Sequence, residues 1–168
     1  MPEFIPVINK HDIRRQILSI AETISTDYQG RELVLIGVLK GAFLFLADLA
    51  RELKLEKVKI DFLQASSYGA DTVSSESIVL KKDIDVDIRG KDVLVVEDIV
   101  DTGLTLAYLI RHLEGFSPRS IKVCAMIDKR ERRKAAIRVD YACTILDKGF
   151  LVGYGLDYAE DYRNLPEI

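Results

Sequence analysis

The stretch Val93-Leu94-Val95-Val96-Glu97-Asp98-Ile99-Val100-Asp101-Thr102-Gly103-Leu104-Thr105 decides how this chain is read. Its opening run, Val93 to Val96, is uninterruptedly apolar and mostly β-branched, which predicts a strand buried on both faces in the middle of a parallel sheet. Whatever follows then lies at that strand's carboxyl end, the edge where open α/β sheets place their ligands. Adjacent carboxylates, Glu97 and Asp98, come first there. Asp101 to Thr105 follows as a loop of mostly small residues, and Leu106, Leu109, Ile110 and Leu113 then recur at helical spacing.

Each part of this unit has its own chemistry. Gly103 lets the backbone approach a ligand closely, the first amides of the helix are free donors, and Thr102 and Thr105 add hydroxyls, so the loop suits one phosphate group. The spacing G-x-x-x-x-G-K-[ST] of a Walker loop is absent, and Leu104 stands where a cation would sit. Carboxylates only accept hydrogen bonds, so Glu97 and Asp98 repel phosphate but can hold a ribose diol or Mg²⁺. The whole unit reads as a cradle for ribose 5-phosphate. The plain alternative, a solvated strand end before an ordinary helix start, leaves unpaired neighbouring acids repelling each other behind a buried strand.

Residues 93–105 resemble, position by position, the phosphoribosyl-diphosphate signature of the type I phosphoribosyltransferases. The version with Asp101 is similar to that of the hypoxanthine-guanine phosphoribosyltransferases, because adenine and orotate enzymes usually carry a small or apolar residue there. The resemblance implies that Glu97, Asp98, Asp101, Thr102, Gly103, Leu104 and Thr105 bind the phosphoribosyl group, with Asp101 as catalytic acid/base.

Composition sets outer bounds. At 168 residues, 48% hydrophobic and 30% charged, the chain has the size and balance of one domain with a proper core. A net charge of −3 offers no general attraction to nucleic acid or to an anionic membrane surface, so neither partner is expected. Met1-Pro2-Glu3-Phe4 has no basic leader, and no apolar run approaches the length of a membrane span, which makes a cytoplasmic protein the expectation. Cys124 and Cys143 lie in separate apolar runs with no partner at metal spacing, and are expected as reduced, buried thiols.

Along the chain, Asn9 or Asp12 can cap a helix whose Ile13, Ile17, Ile20 and Ile24 share a face. Residues 33–38 read as a strand and 42–53 as a helix, with Lys40-Gly41 in the turn between them. The run Gly37 to Gly41 resembles the family's pyrophosphate loop, which assigns Lys40 and Gly41 to the leaving group. Residues 58–62 predict another strand. After Gln64 the chain turns small and polar through about residue 77, too poor in apolar surface to hold itself down. That segment reads either as a hairpin tip or as a lid that excludes water, and Ser67-Tyr68 resembles the Ser-Tyr of the family's mobile loop.

Residues 78–82, 120–127 and 141–146 predict further strands. The charged run 128–134 reads first as a solvated face, yet Lys129 directly ends a strand and can point into the crevice. It matches the family lysine that donates to the purine 6-oxo group; an ammonium has only donors and so faces the amino group of adenine unfavourably. Arg133 matches a basic family position, structural or phosphate-facing. The Gly153-x-Gly155 pair is weak by itself, lacking a third glycine. By resemblance, Phe150 stacks on the base, Leu151 and Asp157 offer backbone groups to its edge, Asp157 is also linked to the metal together with Glu97 and Asp98, and Arg163 contacts pyrophosphate.

These elements alternate strand and helix, implying an α/β domain with a mostly parallel sheet flanked by helices. The type I fold that the chain resembles implies a core over about residues 30–146 and a small hood from about 1–10 and 147–168, within a single domain of residues 1–168. It also implies Mg²⁺-dependent transfer of a 5-phosphoribosyl group from 5-phosphoribosyl 1-diphosphate to hypoxanthine or guanine, giving IMP or GMP and pyrophosphate. A homodimer or homotetramer is expected. A xanthine-preferring enzyme, or a nucleotide- or RNA-binding regulator on the same fold, stays open as an alternative.

Overall fold

The computed structural model describes residues 3–67 and 77–168. Helix α1 spans Lys10–Asp27, β1 Leu33–Leu39, α2 Phe43–Glu52, β2 Val58–Ser67, β3 Ile78–Lys82, β4 Asp92–Val100, α3 Leu104–Glu114, β5 Ser120–Lys129 and β6 Tyr141–Leu146. Asn9 caps α1, its side chain accepting from the amides of His11 at 3.0 Å and Asp12 at 2.9 Å, while Asp12 sits in the first turn. The isoleucines at 13, 17, 20 and 24 are all buried, each side chain contributing about 1.5–3 kcal/mol of transfer free energy.

The sheet has the order β3-β2-β1-β4-β5-β6 and is parallel throughout except for the antiparallel edge strand β3. Alternation along the central strands feeds two cores. Leu33, Leu35, Leu94 and Val96 pack with Ile17, Ile24, Phe45 and Leu49 of α1 and α2, whereas Val34, Ile36, Val93 and Val95 pack with Leu106, Leu109 and Leu113 of α3. A strand covered by helices on both faces needs an apolar residue at every position, which is why Val93 to Val96 has no polar alternation.

The two helical crossovers run in opposite directions from the centre. The connection through α2 carries the chain from β1 outward to β2, and that through α3 carries it from β4 outward to β5. The order reverses between β1 and β4, which makes the carboxyl ends of those two strands the switch-point crevice.

The terminal segments meet each other: the amides of Val7 and Ile8 donate to the Ile168 carbonyl at 2.7 and 2.9 Å, and Ile168 N donates to Ile8 O at 3.0 Å. Cys124 and Cys143 are free thiols, and burial pushes both up, Cys143 to about 12. Among the described residues no helix is long and apolar enough to cross a membrane.

Candidate active site

The acidic pair lies inside β4 rather than past its end. Ile99 and Val100 continue the strand, pairing with Ile127 and Asp128 of β5, while the ladder to β1 stops at Gly37 opposite Val96. From Glu97 onward, β4 is therefore open on its β1 side. Strand geometry sends successive side chains to opposite faces, but Glu97 curls back so that its Oε1 accepts from the amide of Asp98 at 3.1 Å. Asp98 in turn accepts from the Ile99 amide at 2.7 Å. Burial pushes both carboxyls up, and the charge of Asp98 raises Glu97 further.

Across the crevice, β1 ends in a cis peptide between Leu39 and Lys40. Gly41 then lies against the acids. A Cβ placed on it would stand 1.7 Å from Asp98 Oδ2, so only glycine lets this loop come so near the acid.

At the end of β4 the cradle loop is tied down from behind. Arg133 donates from Nε to the Asp101 carbonyl at 2.9 Å, and from Nη2 to the carbonyls of Val100 and Lys129, each at 3.1 Å. The same nitrogen also reaches Asp128 Oδ1 at 2.5 Å. Thr102 O accepts from the amides of Lys134 and Ala135 at 2.9 and 3.1 Å. Of the two roles open to Arg133, the structural one fits these bonds.

In front, Gly103 adopts φ +78 and turns the chain into α3. The first intrahelical bond is from Ala107 N to Gly103 O at 2.9 Å, so the amides of residues 104–106 precede the helical ladder. Thr102 Oγ1 lies 3.4 Å from the first of them, that of Leu104.

Asp101 and Lys129 stand together without using each other up. Lys129 Nζ is 3.8 Å from Asp101 Oδ2, and Arg132 Nη1 approaches the same oxygen at 3.7 Å. Neither distance is a hydrogen bond. Among the described residues Asp101 Oδ1 is buried with no hydrogen-bond partner, and Lys129 is a buried side chain. An orphaned acceptor beside a donor of unused capacity, both at the sheet edge, is the arrangement a polar ligand completes.

The C-terminal segment lies over the Lys40 loop. Gly155, at φ +98, would drive a Cβ to 2.0 Å from Gly41 O, so Gly155, Gly41 and Asp98 stack in close succession. Arg163 Nη1 donates to Gly155 O at 2.7 Å, and its Nη2 lies 3.2 Å from both Asp157 Oδ1 and Glu160 Oε1. Glu160 Oε2 meets Lys40 Nζ at 2.6 Å.

Phe150 is 76% exposed and edge-on to Tyr158 with ring centroids 5.8 Å apart. Together with Leu151, it lines a cavity of about 450 Å³ beside Phe4 and Ile5. Asp157 commits both oxygens inside the chain, to Arg163 and to the Glu160 amide at 2.8 Å. Among the described residues no three His, Cys, Asp or Glu gather as a metal cluster, which leaves Glu97 and Asp98 as a pair apart from Asp157. Ser67 is the last residue of β2, opposite Ile78; Tyr68 lies outside the described residues. Glu160 is the site residue that sequence reasoning missed, because only the fold brings it to a lysine 120 positions away.

Sheet order, switch point and cradle together define the type I phosphoribosyltransferase fold. Residues 8–159 match the family described as phosphoribosyl transferase domain. The chain is 44% identical over 163 residues to the hypoxanthine-guanine phosphoribosyltransferase of Aquifex aeolicus (strain VF5), covering 96% of this chain and 91% of that one. It is 41% identical over 162 residues to the enzyme of the same name from Bacillus subtilis (strain 168), covering 96% and 89%. A crystal structure of a hypoxanthine-guanine phosphoribosyltransferase from Bacillus anthracis superposes with a TM-score of 0.93 at 44% identity, over 99% of this chain and 97% of that chain. The chain belongs to the phosphoribosyl transferase domain family, in the company of its hypoxanthine-guanine enzymes.

Proposed function

We propose that this protein is a purine-salvage enzyme that transfers the 5-phosphoribosyl group of 5-phosphoribosyl 1-diphosphate to N9 of hypoxanthine or guanine, releasing pyrophosphate. The observation that carries this reading is the Asp101–Lys129 pair, a buried carboxylate oxygen with no hydrogen-bond partner among the described residues beside a buried lysine. N7 and O6 are neighbours on one edge of a 6-oxopurine. Lys129 donates to O6, and Asp101 accepts from N7 when the ring proton sits there. As N9 bonds to the anomeric carbon and the carbon–oxygen bond to pyrophosphate breaks, that proton passes to Asp101. The bonding electrons leave with pyrophosphate, whose growing charge Lys40 and Arg163 stabilise.

The amides of residues 104–106, with the hydroxyls of Thr102 and Thr105, hold the 5-phosphate. Phe150 offers its exposed ring as a stacking face, Leu151 offers backbone groups, and the terminal segments act as a hood over the base. Glu97 and Asp98 take the ribose diol and fit Mg²⁺, since burial raises two adjacent acids that a bound cation would relieve. Bound there, Mg²⁺ supplies charge neutralisation for the diphosphate. Asp157 would meet such a metal with one partner already on each oxygen, Arg163 on one and the Glu160 amide on the other.

The test is an assay of purified protein with Mg²⁺, 5-phosphoribosyl 1-diphosphate and hypoxanthine, guanine, xanthine or adenine in turn. Pyrophosphate with IMP or GMP is expected. Turnover of adenine alone, or of no purine, contradicts the reading.

A further inference from the structure

The two cations assigned to the leaving group are already engaged by one carboxylate. Glu160 spans them, with Oε2 at 2.6 Å from Lys40 Nζ and Oε1 at 3.2 Å from Arg163 Nη2. The segment carrying it is bent to make that reach. Ala159, Glu160 and Tyr162 have φ of 51, 73 and 76, left-handed values that L side chains rarely adopt. Asp157 Oδ2 accepting from the Glu160 amide at 2.8 Å, and reciprocal backbone bonds between Tyr158 and Asp161 at 3.1 and 3.0 Å, hold the bend. Lys40 above all, then Arg163, keeps the Glu160 carboxyl below its ordinary range, so it is an anion at neutral pH.

We infer that Glu160 is a built-in stand-in for pyrophosphate, closing the leaving-group site in the free enzyme and returning to Lys40 and Arg163 when the product departs. This rests on the assignment of those two residues to pyrophosphate. A diphosphate carries more charge and more acceptors than one carboxylate, so it displaces Glu160, and the displaced ion pairs weaken its hold. Both Lys40 and Glu160 are more than half exposed, so the exchange occurs at the surface of the crevice. Glu160 acts through the two cations and touches no reacting atom, which makes it a positioning residue whose effect falls on product affinity and release.

The test is calorimetric titration of inorganic pyrophosphate, with Mg²⁺ present, into the full chain and its variants. Glu160→Gln is expected to bind pyrophosphate about three- to tenfold more tightly, the range for one exposed and one partly buried ion pair. Stopped-flow measurement is expected to show correspondingly slower release. Glu160→Asp, too short to span both cations, should fall between Gln and wild type. Equal or weaker binding by Glu160→Gln overturns the inference. Lys40→Ala and Arg163→Ala, each made alone, separate the two levels. If they weaken pyrophosphate binding while Glu160→Gln leaves it unchanged, the stand-in fails and the site stands. If they leave binding unchanged, the pyrophosphate assignment fails and the stand-in falls with it.

Discussion

The two ends of β4 hold acids in opposite circumstances. At the amino end, Asp92 is 1% exposed and fully answered: Arg119 forks onto both of its oxygens, Ser120 Oγ donates at 2.6 Å, and Arg31 approaches at 3.3 Å. Arg119 above all holds its carboxyl below the usual range. At the carboxyl end, Glu97 and Asp98 have backbone amides but, among the described residues, no side-chain cation in bonding contact, and burial drives both upward. One strand thus carries a finished charge network at the end away from the crevice and an unfinished one at the end beside it. Incomplete electrostatics in a well-packed sheet mark the place a ligand completes.

Replacing acid by amide at successive points along this strand and its loop separates the two kinds of site, and so does removing the ammonium beside it. The largest effect is expected at Asp101→Asn, with kcat lowered about 10²-fold and thermal stability unchanged, read by steady-state kinetics beside a melting curve. Lys129→Met should lower kcat/KM for hypoxanthine by about tenfold or more, the worth of a charge-assisted hydrogen bond, while the KM for 5-phosphoribosyl 1-diphosphate stays close to wild type.

At the amino end the pattern should reverse. Asp92→Asn is expected to cost about 1–3 kcal/mol in denaturant unfolding at neutral pH with kcat retained. Because the folded state depresses this carboxyl, its contribution is present above its unfolded pKa of about 4 and lost as pH falls further. The gap between wild type and variant therefore closes in acid. The smallest effect belongs to Glu97→Gln in the ligand-free protein, a gain of about 0.5–2 kcal/mol at neutral pH. Its folded pKa is raised, so the wild-type penalty grows as pH rises from about 4 through that higher value. This gap also closes in acid, with the opposite sign. A loss of stability in Glu97→Gln at neutral pH would dissolve the contrast.

Much of this is legible in the sequence itself. Val93 to Val96 announces a strand covered on both sides, and Asp101 to Thr105 announces a helix start suited to phosphate, because both depend on local chemistry. Lys129 stood out as a cation at a strand end, and it closes β5. β4 runs further than its apolar stretch implies, because Ile99 and Val100 keep the ladder with β5 after β1 has dropped away. Pairing on one side only leaves no trace in one strand's own composition. The Leu39-Lys40 cis peptide carries no proline to signal it. Arg133 fastening three carbonyls and Glu160 reaching Lys40 are meetings of distant segments, which spacing cannot reveal.

In the proposed reading, the loop after β4 grips the nucleotide's phosphate. A crystal structure of the protein with GMP tests it most directly. The phosphate is expected on the amides of residues 104–106 and the purine edge between Asp101 and Lys129. GMP bound at any other surface, with Asp101 Oδ1 still unpartnered, would contradict it.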